Sequence, residues 1–151
     1  MKFKEILIYL LNKFEVFGDI PFFFLILVYS YFFNIKYSNV LFLSFIFSLS
    51  LIITFRLLVK KKRPNNNYNK INPFYLIDKN SFPSGHSTLA TLLFLYSLSI
   101  VNSIFLIYFN LLVLLLVFLS RKLLKKHTLI DIISGILIAY LFWNISLILI
   151  L

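Results

Sequence analysis

The chain contains no cysteine, only five acidic residues among 151, and no charged residue at all between Ser87 and Ser120. The first absence excludes disulfides and cysteine-based metal sites and says nothing of compartment. The second leaves no carboxylate cluster of the kind that holds magnesium. The third has a geometric consequence. As one helix, those 34 residues would measure about 51 Å at ~1.5 Å per residue, against a hydrocarbon core only ~30 Å thick. Two spans folded at Val101–Ser103 are therefore expected, although neither Gly nor Pro marks the break. There is no internal repeat and no polar stretch long enough for a soluble domain. After "MKFKE" the apolar run "ILIYLL" is short for a secretory signal and no small-residue cleavage site follows, so none is expected.

What is present is apolar: 61% of residues are hydrophobic, with 19 Phe and 9 Tyr. That share exceeds the norm for soluble domains and places the chain among multi-spanning membrane proteins. A net charge of +10 would suggest nucleic acid in a soluble protein. Here the cations flank apolar runs, which reads as interface anchoring and attraction to anionic lipid or phosphate; no nucleic-acid partner is expected. The expected fold is all-α, an integral-membrane bundle of about five spans plus an N-terminal interfacial helix, in one domain covering 1–151. Residues 3–17 form the amphipathic interfacial helix, with Glu5, Tyr9, Asn12 and Lys13 at helical spacing. "GDIP" (18–21) breaks it, and Pro21 suits the first turn of the next helix. Spans follow at 20–35, 38–59, 84–101, 103–120 and 129–151, with an aqueous loop at 60–83 that holds Pro73 and a short interfacial turn at Pro73–Ile77.

Two spans between Gly85 and Arg121 return the chain to the side it left, so the 60–86 loop and the 120–131 segment share a membrane face. Three polar clusters converge there. In "RLLVKKKRP" a helix running to Pro64 would put Arg56 and Arg63 on one face; alone, this is an ordinary snorkelling basic cap. In "FPSGHS" (82–87) a helix opens with Pro83, Ser84 and Gly85, and its free amides and partial positive charge suit a phosphate, with His86 beside them. In "SRKLLKKHTLID" (120–131) His127 and Asp131 stand four apart, so the carboxylate is placed to accept the Nδ1 proton and leave Nε2 for a substrate. Asp131 is the one acidic residue adjoining the interior of an expected span, a position that defaults to function. The chain has two histidines and three arginines, and all five fall in these clusters. Guanidinium groups bind phosphate oxygens bidentately. The residues thus describe a phosphoryl site in which one histidine attacks and the other protonates, without saying which does which. Lys60, Lys61, Lys62, Lys122, Lys125 and Lys126 read as interface anchors.

The ordered motifs Arg56-x6-Arg63-Pro64, Pro83-Ser84-Gly85-His86 and Ser120-Arg121-x5-His127-x3-Asp131 resemble those of the type 2 phosphatidic acid phosphatase superfamily, which also includes vanadium haloperoxidases. The last two match completely; the first carries Arg56 where that family has lysine. The resemblance implies a single membrane-embedded phosphatase domain with 60–83 as its active-site loop. It implies that His127 is the nucleophile and forms a phosphohistidine, that Asp131 orients it and that His86 protonates the leaving oxygen. Arg56, Arg63, Arg121, Ser84 and the Gly85 amide would hold the phosphate. No metal or other cofactor is implied, since positioned cations and dipoles stabilise the transition state.

The substrate so implied is a lipid phosphomonoester or diphosphate: phosphatidic acid, phosphatidylglycerol phosphate or polyprenyl diphosphate. A non-enzymatic lipid-binding or transporter-associated protein is the rival class, and a haloperoxidase-like enzyme fits less well because those relatives are soluble and larger. In the five-span arrangement every Lys and Arg except Lys36 lies on the side of the site. The positive-inside rule then places the site on the cytoplasmic face of the cell membrane.

Overall fold

The computed structural model describes residues 3–65 and 79–151. Most of the expected 60–83 loop, including the interfacial turn at Pro73–Ile77, lies outside the described residues. Among the described residues six helices follow in order: α1 (Phe3–Phe14), α2 (Ile20–Phe32), α3 (Ser38–Val59), α4 (Gly85–Ile100), α5 (Ile104–Leu123) and α6 (Leu129–Ile150), with a 3-10 turn at Glu15–Gly18 joining α1 to α2. The protein is an all-α bundle. At 22, 20 and 22 residues, α3, α5 and α6 are long and apolar enough to cross a membrane, and the pair formed by 8–18 and 20–32, bent by 43°, makes a fourth crossing if the two are one span. The 13 residues of α2 and the 16 of α4 reach only about 20 and 24 Å, less than the ~30 Å core, so length alone does not supply the expected five.

These helices are apolar on most sides, and two kinds of residue sort their faces. Large side chains turn outward: Phe105 is 73% exposed and Ile148 82%, as suits a lipid-facing wall. Small polar ones turn inward, with Ser44, Ser48, Ser87, Thr88 and Ser146 fully buried. Small residues let helix backbones approach, and their hydroxyls hydrogen-bond locally or across the interface. Ser44 Oγ does both, donating to Val40 O at 2.7 Å and to Phe142 O across to α6 at 3.2 Å. The apolar core is built from Phe23, Leu27, Val40, Leu41, Phe45, Leu89, Leu92, Ala139 and Trp143. α6 is the central element, packed along both α4 and α3.

α1 buries Leu11 and exposes Tyr9, Asn12 and Lys13, and it packs on α5. α4 ends at Ile100 and α5 begins at Ile104, with Ser103 as N-cap. A cavity of about 320 Å³ opens between α2, α4 and α5, lined by Phe17, Phe22, Ile26, Leu93, Phe94 and Leu114 among others.

One expectation about α3 fails. The helix stops at Val59, with Lys60 in the left-handed conformation, five residues before Pro64. Proline clashes with the carbonyl four residues earlier, here that of Lys60, and pushes its predecessor into extended backbone. Arg63 therefore does not share a helix face with Arg56. It lies on an extended segment in which Lys62 pairs antiparallel with Asn80 and Lys61 O accepts from Ser81 N at 2.7 Å.

Candidate active site

That short pairing ties the end of α3 to the approach to α4. Asn80 Nδ2 donates to Arg56 O at 2.6 Å, satisfying a carbonyl in the last turn of α3 that helix geometry leaves open. Arg56 in turn donates from Nη2 and Nε to Pro83 O at 3.3 and 3.4 Å, so its guanidinium is docked on the Pro83–His86 motif. Ser84 is the N-cap of α4. Its hydroxyl oxygen accepts from Ser87 N at 3.4 Å and from Ser87 Oγ at 2.9 Å, and the residue is fully buried; its side chain is engaged in holding the helix start. At Gly85 an added Cβ would meet only Arg56 Nη2, at an ordinary 3.5 Å, so the backbone there opens beside the guanidinium. The first-turn amides of Gly85 and His86 have no intrahelical acceptor.

The start of α4 is fastened to the start of α6. Ser84 N donates to Asp131 O at 3.0 Å. One turn further along, a Cβ on Gly135 would fall 2.6 Å from Ser84 O and 3.0 Å from Thr88 Oγ1. Only glycine permits that approach.

His127 and Asp131 are both buried, but they do not hydrogen-bond to each other. His127 precedes the N-cap Thr128 and is not in the helix, and its Nδ1 stands 3.9 Å from Asp131 Oδ2. Nδ1 bonds instead to Ser81 O at 2.8 Å. A carbonyl can only accept, so the ring carries its proton on Nδ1 and leaves Nε2 as a lone pair. That Nε2 is buried and has no hydrogen-bond partner among the described residues. Burial, first, and then the charges of Arg121, Arg63 and Arg56 hold the imidazole well below the usual histidine range, so it stays neutral. The carboxylate expected to take the Nδ1 proton is occupied. Asp131 Oδ2 accepts from Thr128 N at 2.8 Å in a capping box, and Oδ1 is met by Lys61 Nζ at 2.6 Å. Lys61 also donates to Thr128 Oγ1 at 2.8 Å. It is a site residue and not an interface anchor.

Arg121, at the end of α5, is 2% exposed. It is not on the helix start that follows; Arg121 O accepts from Lys126 N and His127 N, which curls the loop so that both functional side chains face the same centre. The segment joining α1 to α2 supplies two acids that the motifs did not indicate. Glu15 Oε1 pairs with Arg121 Nη1 at 2.8 Å and Oε2 with Lys126 Nζ at 2.6 Å; Lys126 too is thereby drawn from the set of anchors. Asp19 Oδ1 lies 2.6 Å from His86 Nε2. The one sequence signal for them was the acid in "GDIP" at a break between apolar helices.

All eight expected site residues thus lie around one centre at one end of the bundle, with Lys61, Ser81, Glu15 and Asp19 added. Among the described residues no group of three or more His, Cys, Asp or Glu is arranged to hold a metal ion. What the arrangement offers is an unpartnered imidazole nitrogen within a ring of guanidinium groups and helix-start amides, at the edge of an apolar bundle. That is a class of site suited to a phosphoryl group on a membrane-borne molecule. The sequence model of the PAP2 superfamily matches residues 40–150, and the chain belongs to that superfamily. Membership points to phosphatase-type activity on phosphorylated substrates. No curated protein and no solved structure matches the chain.

Proposed function

We propose that this protein is an integral-membrane lipid phosphatase, its whole chain forming one phosphatase domain, which hydrolyses the phosphomonoester or diphosphate of a lipid such as phosphatidic acid, phosphatidylglycerol phosphate or a polyprenyl diphosphate. The observation that carries the reading is His127: neutral, held through Nδ1 by Ser81 O, with a buried Nε2 lone pair facing no protein partner. The Nε2 lone pair attacks phosphorus, and the bond from phosphorus to the lipid oxygen breaks. His86 protonates that oxygen, releasing the lipid alcohol and leaving a phosphohistidine on His127. Water then attacks the phosphorus, His86 takes its proton, and the P–N bond breaks to return His127 and free phosphate. Arg56, Arg63 and Arg121, with the amide of Gly85 and the buried cap Ser84 that holds it, carry the charge of the transferring group, which is where most of the acceleration in phosphoryl transfer arises.

The apolar cavity between α2, α4 and α5 supports a lipid substrate. It reaches Phe17, next to the Gly18 that packs on His86, so an acyl or prenyl chain there would lead to the site. The excess of Lys and Arg at that end of the bundle supports a cytoplasmic orientation in the cell membrane. The test is phosphate release by detergent-solubilised protein over a panel of lipid phosphates. Activity that persists in EDTA and is blocked by vanadate is expected, because vanadate mimics the pentavalent transition state. Failure to release phosphate from any lipid, or activity that requires added magnesium, would overturn the reading.

A further inference from the structure

Asp19 is the N-cap of α2, a position where aspartate ordinarily accepts a hydrogen bond from the helix's own first-turn amides. Its side chain makes no such bond. Residue N2 is Pro21, which has no N–H to give, and the carboxylate turns instead to His86 Nε2 at 2.6 Å. The approach is enforced by the backbone. Gly18 is buried, and a Cβ on it would stand 2.9 Å from both Cβ and O of His86, so only glycine lets the turn sit this close. Asp19 itself lies outside the residues 40–150 that match the superfamily. Burial raises its proton affinity, but the hydrogen bond and charge of His86, with Arg121 and Lys126, outweigh this and hold the carboxyl below the usual aspartate range. Asp19 is therefore a carboxylate.

We propose that Asp19 is a positioning residue for the proposed reaction: it fixes the His86 ring through Nε2–H and sustains the imidazolium, so that Nδ1–H delivers the proton to the leaving oxygen. The proposal rests on the phosphatase reading above. The charged groups that face His86 are Asp19 at the head of α2, Glu15 on the 3-10 turn and Arg121 at the end of α5, beside the neutral His127; burial, foremost, holds the His86 ring below the usual histidine range, and the hydrogen bond of Asp19 opposes it. Arg121 opposes an imidazolium, and Glu15 is already shared between Arg121 and Lys126. Asp19 is the carboxylate in direct contact. After proton transfer His86 is neutral with its remaining proton on Nε2, still bound by Asp19, and its free Nδ1 is ready to take the proton of the attacking water. No other co-reactant is needed.

With two histidines in the chain, the test is direct. Full-length protein labelled on histidine is titrated by NMR in detergent, as wild type, Asp19→Asn and Asp19→Glu, with His86→Gln assigning the signals. Hydrolysis of a lipid phosphate and of p-nitrophenyl phosphate, whose leaving group needs little protonation, is followed on the same samples. The His86 titration should move to lower pH in Asp19→Asn and return in Asp19→Glu. Turnover of the alkyl ester should fall on the order of 100-fold, the lower range for loss of general-acid catalysis. The aryl ester should fall far less, and the basic limb of the pH–rate profile should move to lower pH. Gly18→Ala, which displaces the turn while keeping the carboxylate, should act in the same direction. A His86 titration that Asp19→Asn leaves in place overturns the proposal, as does equal slowing of the two esters or faster turnover in the variant. If wild type releases no phosphate from any lipid, the phosphatase reading fails, and the titration alone decides whether Asp19 governs His86.

Discussion

His127 is held by the backbone carbonyl of Ser81, 2.8 Å from its Nδ1, while the side-chain carboxylate four residues ahead stands off at 3.9 Å. A carbonyl cannot lose its acceptor character by mutation of its side chain, so the tautomer of His127 is independent of Asp131.

A specific outcome follows for Asp131→Asn. Where a carboxylate is the sole partner of a catalytic histidine, the amide inverts the tautomer and costs about four orders of magnitude in rate. Here the proton stays on Nδ1 whichever residue occupies position 131. The variant should keep turnover within about tenfold of wild type, while losing stability because Lys61 is left beside a neutral amide and the capping box is weakened, a change of roughly 1–3 kcal/mol. Thermal unfolding and steady-state kinetics on the same preparation separate the two effects. A rate loss of thousands-fold with unchanged stability would show that Asp131, and not Ser81 O, sets the tautomer.

A covalent phosphohistidine is expected on His127. Wild type mixed with labelled lipid phosphate and quenched without acid should retain label. His127→Ala should lose both label and turnover. Label surviving in that variant would move the nucleophile elsewhere.

Stability should depend on pH through the same residue. The folded state holds His127 well below its ordinary proton affinity, chiefly by burial, whereas the unfolded chain titrates near ~6.5. Above that pH neither state is protonated and the full stability is present. Below it the unfolded chain binds a proton the folded one refuses, so stability falls by up to about 1.4 kcal/mol per pH unit. The melting temperature in detergent should drop between pH 7.5 and 5, and His127→Asn should flatten that dependence. A slope unchanged by the substitution would contradict the assignment.

Orientation is open to a cysteine test, since the chain has none. Lys122 at the site end and Asn34 in the turn between α2 and α3 are both exposed. With single cysteines at each and a membrane-impermeant maleimide on intact cells, labelling at Asn34 alone supports a cytoplasmic site. Labelling at Lys122 alone places the site outside.

The parts of this protein legible in its sequence are those with a one-dimensional signature. Uninterrupted apolar runs gave α3, α5 and α6, and the ordered motifs marked Arg121, His127 and Asp131 as candidates. What escaped has no such signature. The Ser81 carbonyl belongs to every residue type alike. Lys61 differs from its neighbours in the lysine run only because Lys60 turns left-handed and redirects the chain. The i,i+4 argument for His127 and Asp131 assumed a helix through both, whereas the capping box begins that helix at Thr128 and spends the carboxylate on it. Glu15 and Asp19 reach the site through the close packing of Gly18, which depends on where another helix lies.

The distance between the two halves of the site is set by Gly135, whose missing side chain lets main chain rest on main chain at Ser84. A gap fixed in that way is a gauge of constant width: it cannot be retuned by trading one rotamer for another. On the proposed lipid-phosphatase reading, any headgroup would present its phosphorus in the same bore. Discrimination between lipids would then belong to surfaces free to vary, the apolar walls of α2, α4 and α5, and a change of preferred lipid should map there and leave the phosphate end untouched.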